Sequence, residues 1–79
     1  MGEIDVIAKK GDLVVFVEVK TRSGNDYGRG AESVNGGKIK RIRRAAMYYL
    51  TKSKDPEAAC RFDVIEINEG KIEHIEDAF

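Results

Sequence analysis

The chain contains a single cysteine, Cys60, and no apolar stretch that approaches the roughly 20 residues of a membrane-spanning helix. One cysteine excludes an intrachain disulfide, and a protein without disulfides fits a reducing compartment best. The chain has 79 residues. A domain of that size buries only about 60–65% of the surface that its unfolded form exposes. We therefore predict one small cytoplasmic domain over residues 1–79.

The net charge is zero, but the charges are segregated along the chain. Residues 20–44 carry eight basic and two acidic side chains, a balance of +6, whereas residues 55–79 carry two basic and eight acidic ones, a balance of −6. A cluster of one sign creates a local field even when the total charge is zero. The composition is therefore compatible with an anionic partner.

The residue patterns predict an α/β fold. Runs rich in valine and isoleucine indicate strands, and apolar residues at helical spacing indicate one helix. A strand, a helix and a second strand of these lengths favour a crossover between parallel strands. The predicted elements are strands over residues 2–10, 13–21, 61–67 and 72–75, a helix over residues 36–52, and a loop over residues 22–30.

The predicted helix should turn an apolar stripe toward the sheet. Its members recur three or four residues apart, which places them on one side of a helix. We also expect the adjacent tyrosines, Tyr48 and Tyr49, to pack. The stripe consists of Ile39, Ile42, Ala46, Tyr49 and Leu50.

Two charged residues interrupt the most apolar strand. Glu18 and Lys20 are two residues apart and therefore lie on the same side of the strand. The dipeptide Gly11–Asp12 suits a two-residue type II′ hairpin turn. Counting outward from that turn sets Asp5 opposite Glu18, with their Cβ atoms roughly 4.5–5.5 Å apart. The pattern thus predicts two carboxylates and an ammonium group on one face of the hairpin.

This arrangement suits a divalent cation. Asp5 and Glu18 would repel each other unless a cation lay between them, and hard oxygen ligands favour Mg²⁺ or Mn²⁺ over zinc. Lys20 could then position an attacking water or neutralise charge on a phosphate. The alternative is structural: on an edge strand with one solvated face, the same charges would be hydrated or paired across strands.

These residues resemble the YraN-like family of bacterial proteins. The resemblance extends from Gly2 to Phe79 and rests on a series of blocks in order: GEIDVI, VFVEVKTR, AESVNGGKIKRIRRAAMYYL, RFDVIEI and HIEDAF. It implies membership of the PD-(D/E)xK nuclease superfamily, close to Holliday-junction resolvases and the tRNA-splicing-endonuclease-like fold. The implied fold is a restriction-endonuclease-like mixed β-sheet with a crossover helix. By the same resemblance, Asp5, Glu18 and Lys20 match the motif aspartate, acidic residue and lysine.

The chain departs from that family in two ways. Family members usually carry an N-terminal helix and a first strand before the GEID block, so this chain resembles a truncated αβββαβ core. Many members also have a glutamine where this chain has Ile39. A first strand without an outer neighbour invites pairing with another chain, and we therefore expect either a homodimer through this edge or an unstable monomer.

Basic residues are concentrated in the first half of the predicted helix. Cations near a helix N-terminus oppose its dipole, and a sequence chosen only for helix stability would place acids there. We interpret them as a phosphate-contacting surface, the alternative being a solvated helix face. The predicted nucleic-acid-binding residues are Arg22, Arg29, Lys38, Lys40, Arg41, Arg43 and Arg44.

The sequence thus predicts an endonuclease-like domain that uses Mg²⁺ or Mn²⁺ to hydrolyse a phosphodiester in structured nucleic acid, DNA rather than RNA. Asp5 and Glu18 would hold the metal and Lys20 would assist, with Glu3 as a further ligand or base. Two alternatives stay open. One is a nucleic-acid-binding module that keeps the fold without catalysis, and the other is an interaction protein that pairs through its open sheet edge.

Overall fold

The computed structural model describes residues 4–22 and 36–79. In these residues it has four strands and one helix: β1 (Val6–Lys10), β2 (Leu13–Arg22), α1 (Gly36–Lys52), β3 (Cys60–Asn68) and β4 (Lys71–Ile75). The helix has the predicted bounds, and each of the last three strands lies within one residue of its predicted bounds. The first strand begins at Val6, so the prediction that it includes residues 4 and 5 is wrong. α1 is the one helix among the described residues, and it is too short and too polar to cross a membrane.

The four strands form one mixed sheet in the order β1-β2-β3-β4. β2 and β3 are parallel and are connected through α1, whereas β1–β2 and β3–β4 are antiparallel neighbours. The predicted α/β class and the crossover between parallel strands are therefore confirmed. β1 lies at one edge of the described sheet, and the homodimer through that edge stays a prediction.

Tight two-residue turns close both hairpins. Lys10 pairs with Leu13 across the first turn, in which Gly11 has a φ of 60°. A type II′ turn requires positive φ at this first central position, which glycine adopts without strain. In the second turn both central residues have positive φ, 49° at Glu69 and 83° at Gly70. That pair of values is the signature of a type I′ turn.

The core lies between α1 and one face of the sheet. Phe16 occupies its centre, with ring centroids 5.8 Å from Tyr49 in an edge-to-face arrangement and 5.5 Å from the stacked ring of Phe62. Phe79 extends this aromatic cluster, 5.4 Å from Phe62. The buried members of the core are Val14, Phe16, Ile42, Ala46, Leu50, Phe62 and Val64.

Only one of the two adjacent tyrosines packs as expected. Tyr49 contacts the core, but Tyr48 is 60% exposed and the ammonium group of Lys52 lies 5.6 Å from its ring centroid. Successive residues of a helix point about 100° apart. The two rings therefore cannot share the narrow stripe that faces the sheet, and the expectation for Tyr48 is wrong.

Two valines of the sheet offer a matched test of the core. Val64 is fully buried beneath α1, whereas Val6 is 46% exposed on the edge strand. We expect Val64→Ala to lower the free energy of unfolding by about 2 kcal/mol, because it removes buried methyl groups and leaves a cavity. Val6→Ala, the same chemical change at the edge, should cost less than about 1 kcal/mol. Urea unfolding of both variants measures the difference, and equal losses would contradict this description of the core.

Candidate active site

The first hairpin places Asp5 directly opposite Glu18 on the neighbouring strand. The printed register runs from the Lys10–Leu13 pair to the Val6–Val17 pair, so the next residues on the two strands are Asp5 and Glu18. Opposed residues of an antiparallel pair point to the same face. That face is the one covered by α1, because Phe16, two residues before Glu18, lies in the core beneath the helix. The predicted register is therefore confirmed.

Asp5 is fixed to the neighbouring strand by its side chain. The backbone N–H of Val19 donates a hydrogen bond of 2.9 Å to Oδ2 of Asp5. Regular strand pairing ends at Val6, and the carboxylate takes over as the acceptor for the next donor of β2. This contact holds the Asp5 carboxylate against the strand that carries Glu18.

Glu18 is a buried carboxylate that two lysines neutralise. Its side chain is 4% exposed, and its Oε2 lies 3.2 Å from Nζ of Lys20 and 2.5 Å from Nζ of Lys38. Lys20 lies two residues further along β2, on the same face, whereas Lys38 reaches down from the first turn of α1. Burial of an unpaired carboxylate would be costly, and these two ammonium groups compensate for it.

The pKa of Lys38 reflects the same arrangement. It is raised above its ordinary value, chiefly by the hydrogen bond with Glu18 and further by Coulomb attraction to Glu18 and Asp5, while burial opposes the shift. The ammonium form of Lys38 therefore lies in the field of both carboxylates. The sequence interpretation placed Lys38 on the phosphate-contacting surface and did not foresee this contact. The available signal was its position, four residues before the buried Ile42 on the flank of the apolar stripe.

Asp5 and Glu18 together form an acidic pair. Their carboxylate oxygens are donors that suit a small hard cation. Two carboxylates are the number of protein ligands that Mg²⁺ commonly uses, because it keeps several waters and binds substrate phosphates. Among residues 4–22 and 36–79, no group of three or more His, Cys, Asp or Glu side chains is arranged to hold a metal. A zinc-like site with three or four protein ligands is therefore not formed by the described residues.

The basic residues of α1 do not form a single surface. Lys40, Arg41 and Arg44 are exposed. Arg43 is also exposed, but its guanidinium lies 5.4 Å from the ring centroid of Phe62, in cation–π geometry. The buried stripe of the helix separates Lys38, which faces the acidic pair, from Arg43 on the opposite flank. The outward-facing cations are thus Lys40, Arg41 and Arg44.

Three predicted site residues lie outside what the structure describes. Glu3, the further ligand or base, and Arg29, a predicted phosphate contact, are not among the described residues, and the side chain of Arg22 is not described either. Their assignments stay predictions.

A second buried carboxylate, Asp63, lies on the opposite face of the sheet. Its side chain is 0% exposed and receives two hydrogen bonds from Arg61, Nε to Oδ1 at 2.8 Å and Nη2 to Oδ2 at 2.9 Å. His74 Nε2 lies 2.7 Å from Oδ2, and the backbone N–H of Asp77 donates to Oδ1 at 3.0 Å. These contacts tie β3 to β4 and to the C-terminal residues.

The sequence interpretation missed this cluster, although a signal was present. Asp63 stands inside a strand of apolar residues, as Glu18 does, and Arg61 is two residues away on the same side. Burial alone would raise the pKa of Asp63, but the hydrogen bonds from Arg61, Asp77 and His74 outweigh it and lower the pKa below the ordinary value. The carboxylate is therefore ionised and fully engaged within the fold.

A cavity of about 550 Å³ opens at the other end of the hairpin. Gly11, Asp12, Tyr49 and Lys52 are among its lining residues, and neither member of the acidic pair is. Charged side chains from β1 and from the end of α1, Lys9 and Lys52, face this cavity, which is separate from Asp5 and Glu18.

The comparisons with known proteins agree on one family. The sequence model of "Uncharacterised protein family UPF0102" matches residues 1–67. A UPF0102 protein of Parafrankia sp. (strain EAN1pec) is 48% identical over 83 residues, covering 99% of this chain and 70% of the relative. One of Thermodesulfovibrio yellowstonii is 49% identical over 78 residues, covering 99% and 69%. One of Clostridium beijerinckii is 45% identical over 85 residues, covering 100% and 69%.

The lowered pKa of Asp63 predicts acid sensitivity. A carboxylate whose pKa is lower in the folded state contributes stability above its ordinary value of 3.8, and that contribution is lost as the pH falls through the lowered folded value. We expect Asp63→Asn to cost about 2 kcal/mol at neutral pH, because a neutral amide loses the charge-assisted hydrogen bonds that the buried carboxylate accepts. As the pH falls below about 4, the free energy of unfolding should decrease less for the variant than for the wild type.

Chemical unfolding at a series of pH values measures both effects. Glu57→Gln is the matched control, because Glu57 is exposed and the change also removes one carboxylate. If Asp63→Asn were as stable as this control at neutral pH, the structural role of the cluster would be wrong.

Proposed function

The chain belongs to the uncharacterised protein family UPF0102, and from the acidic pair that its first hairpin forms we propose that it is a metal-dependent, endonuclease-like domain. The proposed reaction is hydrolysis of a phosphodiester in structured nucleic acid, DNA rather than RNA. The proposed cofactor is Mg²⁺ or Mn²⁺.

One observation carries the proposal: Asp5, Glu18 and Lys20 converge on the helix-covered face of the sheet. Like charges at directly opposed positions of a hairpin are destabilising, so two acids there are not the choice that favours stability. Asp5 is held by the Val19 N–H, and Glu18 is buried together with a lysine two residues away. Two carboxylates and an amine in this relation are the elements of a phosphodiester-hydrolysing site.

Each residue has a role that follows from its chemistry. Asp5 and Glu18 would hold the cation, which when bound polarises a phosphoryl oxygen and lowers the pKa of water. Lys20 would neutralise the charge that develops on the phosphate or orient the attacking water. Glu3 precedes Asp5 by two residues and is proposed as a further ligand or base.

The substrate surface is proposed to lie along α1. Lys40, Arg41 and Arg44 face outward, and such cations bind phosphates without reading sequence. Arg22 and Arg29 are proposed to extend the surface. Lys38 lies on the side of this surface that faces the sheet, where its ammonium group contacts Glu18.

The mixed sheet with its crossover helix supports a more specific fold proposal. Parallel strands β2 and β3, connected by α1 and flanked by antiparallel neighbours, agree with the central part of a restriction-endonuclease-like sheet. We propose on this basis that the family belongs to the PD-(D/E)xK nucleases, with Asp5, Glu18 and Lys20 as the motif residues.

The catalytic proposal predicts metal-dependent cleavage of junction, flap or stem-loop substrates. Asp5→Asn should weaken cation binding, and Lys20→Ala should remove a positive charge from the reacting phosphate. We expect each to reduce the cleavage rate by about 100-fold or more. Asp12→Asn is the matched control, because it removes an exposed acid from the turn of the same hairpin and should cleave like the wild type.

Equal inactivity of the wild type and Lys20→Ala on all these substrates would remove catalysis from the proposal. Binding of nucleic acid at low salt without a metal requirement would then favour the alternative, a binding module of the same fold.

The phosphate-contacting surface predicts salt-dependent binding. Each phosphate contact contributes about 0.7–0.9 to the slope of log affinity against log salt. We therefore expect Lys40→Ala and Arg44→Ala each to weaken binding and to reduce the slope by about that amount. Lys54→Ala is the control, since Lys54 is an exposed lysine beyond the C-terminal end of the helix. A flat salt dependence for the wild type would contradict the proposed surface, and fluorescence anisotropy with a labelled junction provides the measurement.

A further inference from the structure

The two carboxylates of the site are already neutralised by cations of the protein itself. Asp5 and Glu18 carry two negative charges, and Lys20 and Lys38 carry two positive ones. Both ammonium groups approach the same oxygen of Glu18. If a divalent cation joined these four groups, their net charge would become +2 in a half-buried environment unless one ammonium group moved away. Binding of the ion is therefore coupled to a lysine.

The geometry distinguishes the two lysines. Lys20 belongs to the same strand as Glu18, so the backbone of β2 keeps it near the site. Lys38 belongs to a separate element, the first turn of α1, and the two side chains are similarly exposed, 28% for Lys38 and 24% for Lys20. A lysine carries a compact charge on a flexible four-carbon stem. Lys38 can therefore withdraw toward water without any change in the sheet.

The other buried carboxylate, Asp63, is compensated by partners that hold it in a fixed position. Asp63 is held by a bidentate guanidinium, an imidazole and a backbone N–H. Planar bidentate contacts and backbone donors are rigid and fix the carboxylate in place. Among the described contacts, Glu18 has no guanidinium or backbone donor and is compensated by lysines. The negative charge of Glu18 is therefore compensated by groups that another cation can replace.

We propose that Lys38 is an exchangeable counter-ion of the acidic pair: it neutralises Asp5 and Glu18 when no divalent cation is present and is displaced when one binds. This inference rests on the proposed function, because the cation site is the one proposed there. Lys38 is then an internal competitor that lowers the affinity of the site for the ion and stabilises the ion-free fold.

Titration with MnCl₂ or MgCl₂ by calorimetry, in the absence of nucleic acid, tests the exchange. Lys38→Met removes the competing charge and keeps most of the stem, so the ion should bind about tenfold more tightly or better. Lys38→Arg keeps a positive charge and should not show this gain. Lys52→Met is the matched control, an exposed lysine in the last turn of the same helix, and should bind the ion like the wild type.

Thermal unfolding gives a second readout that does not depend on activity. Without a divalent cation, Lys38→Met should melt at a lower temperature than the wild type, because Glu18 loses one of its two compensating charges. Saturating MgCl₂ should stabilise Lys38→Met more than the wild type, since the ion replaces the missing charge. If Lys38→Met does not fold, Lys38→Gln provides an uncharged variant that still donates a hydrogen bond to Glu18.

The outcomes separate this inference from the proposed function. Cation binding that is lost in Asp5→Asn but equal in the wild type and Lys38→Met would keep the metal site and overturn the exchange. Tighter binding by Lys38→Met that disappears in the double variant with Asp5→Asn would support both. An absence of binding in the wild type and in both uncharged Lys38 variants would overturn both.

Discussion

The first turn of the chain determines which side chains can act together. Two residues, Gly11 and Asp12, separate β1 from β2, and this number sets the register of the whole hairpin. Because side chains alternate between faces, one more residue in the turn would move every side chain of β1 to the other face. Asp5 would then point away from Glu18. The convergence of Asp5 with Glu18 and Lys20 depends on that register.

The sheet carries one buried carboxylate on each face, and the protein compensates for them in different ways. Asp63 is bound by rigid, directional donors from its own strand, from β4 and from the C-terminal backbone. Its role is to connect these segments. Glu18 is compensated by the ammonium groups of two lysines and lies beside a second carboxylate. Burial therefore marks both acids as unusual, and the type of partner distinguishes a structural acid from a candidate functional one.

The helix connects the fold to the candidate site. Its buried stripe closes the core over Phe16, while its first turn delivers Lys38 to the acidic pair and its outer side presents cations to solvent. A helix with so many basic residues near its N-terminus is not arranged for maximal stability. The relatives from Parafrankia and Thermodesulfovibrio are named only as UPF0102 proteins, so their names assign no activity to the residues of this site.

The sequence alone was sufficient for the strands, the helix and the opposition of Asp5 and Glu18. Periodicity and turn preference are local properties, and a two-residue turn converts sequence distance into register by counting. It was not sufficient for Lys38 or for the exposure of Tyr48, since both depend on how α1 is rotated over the sheet. Nor did it reveal the cluster at Asp63, because His74 reaches that carboxylate only through the register of β3 with β4. Contacts between separate elements are decided by packing, and only the tertiary structure contains that information.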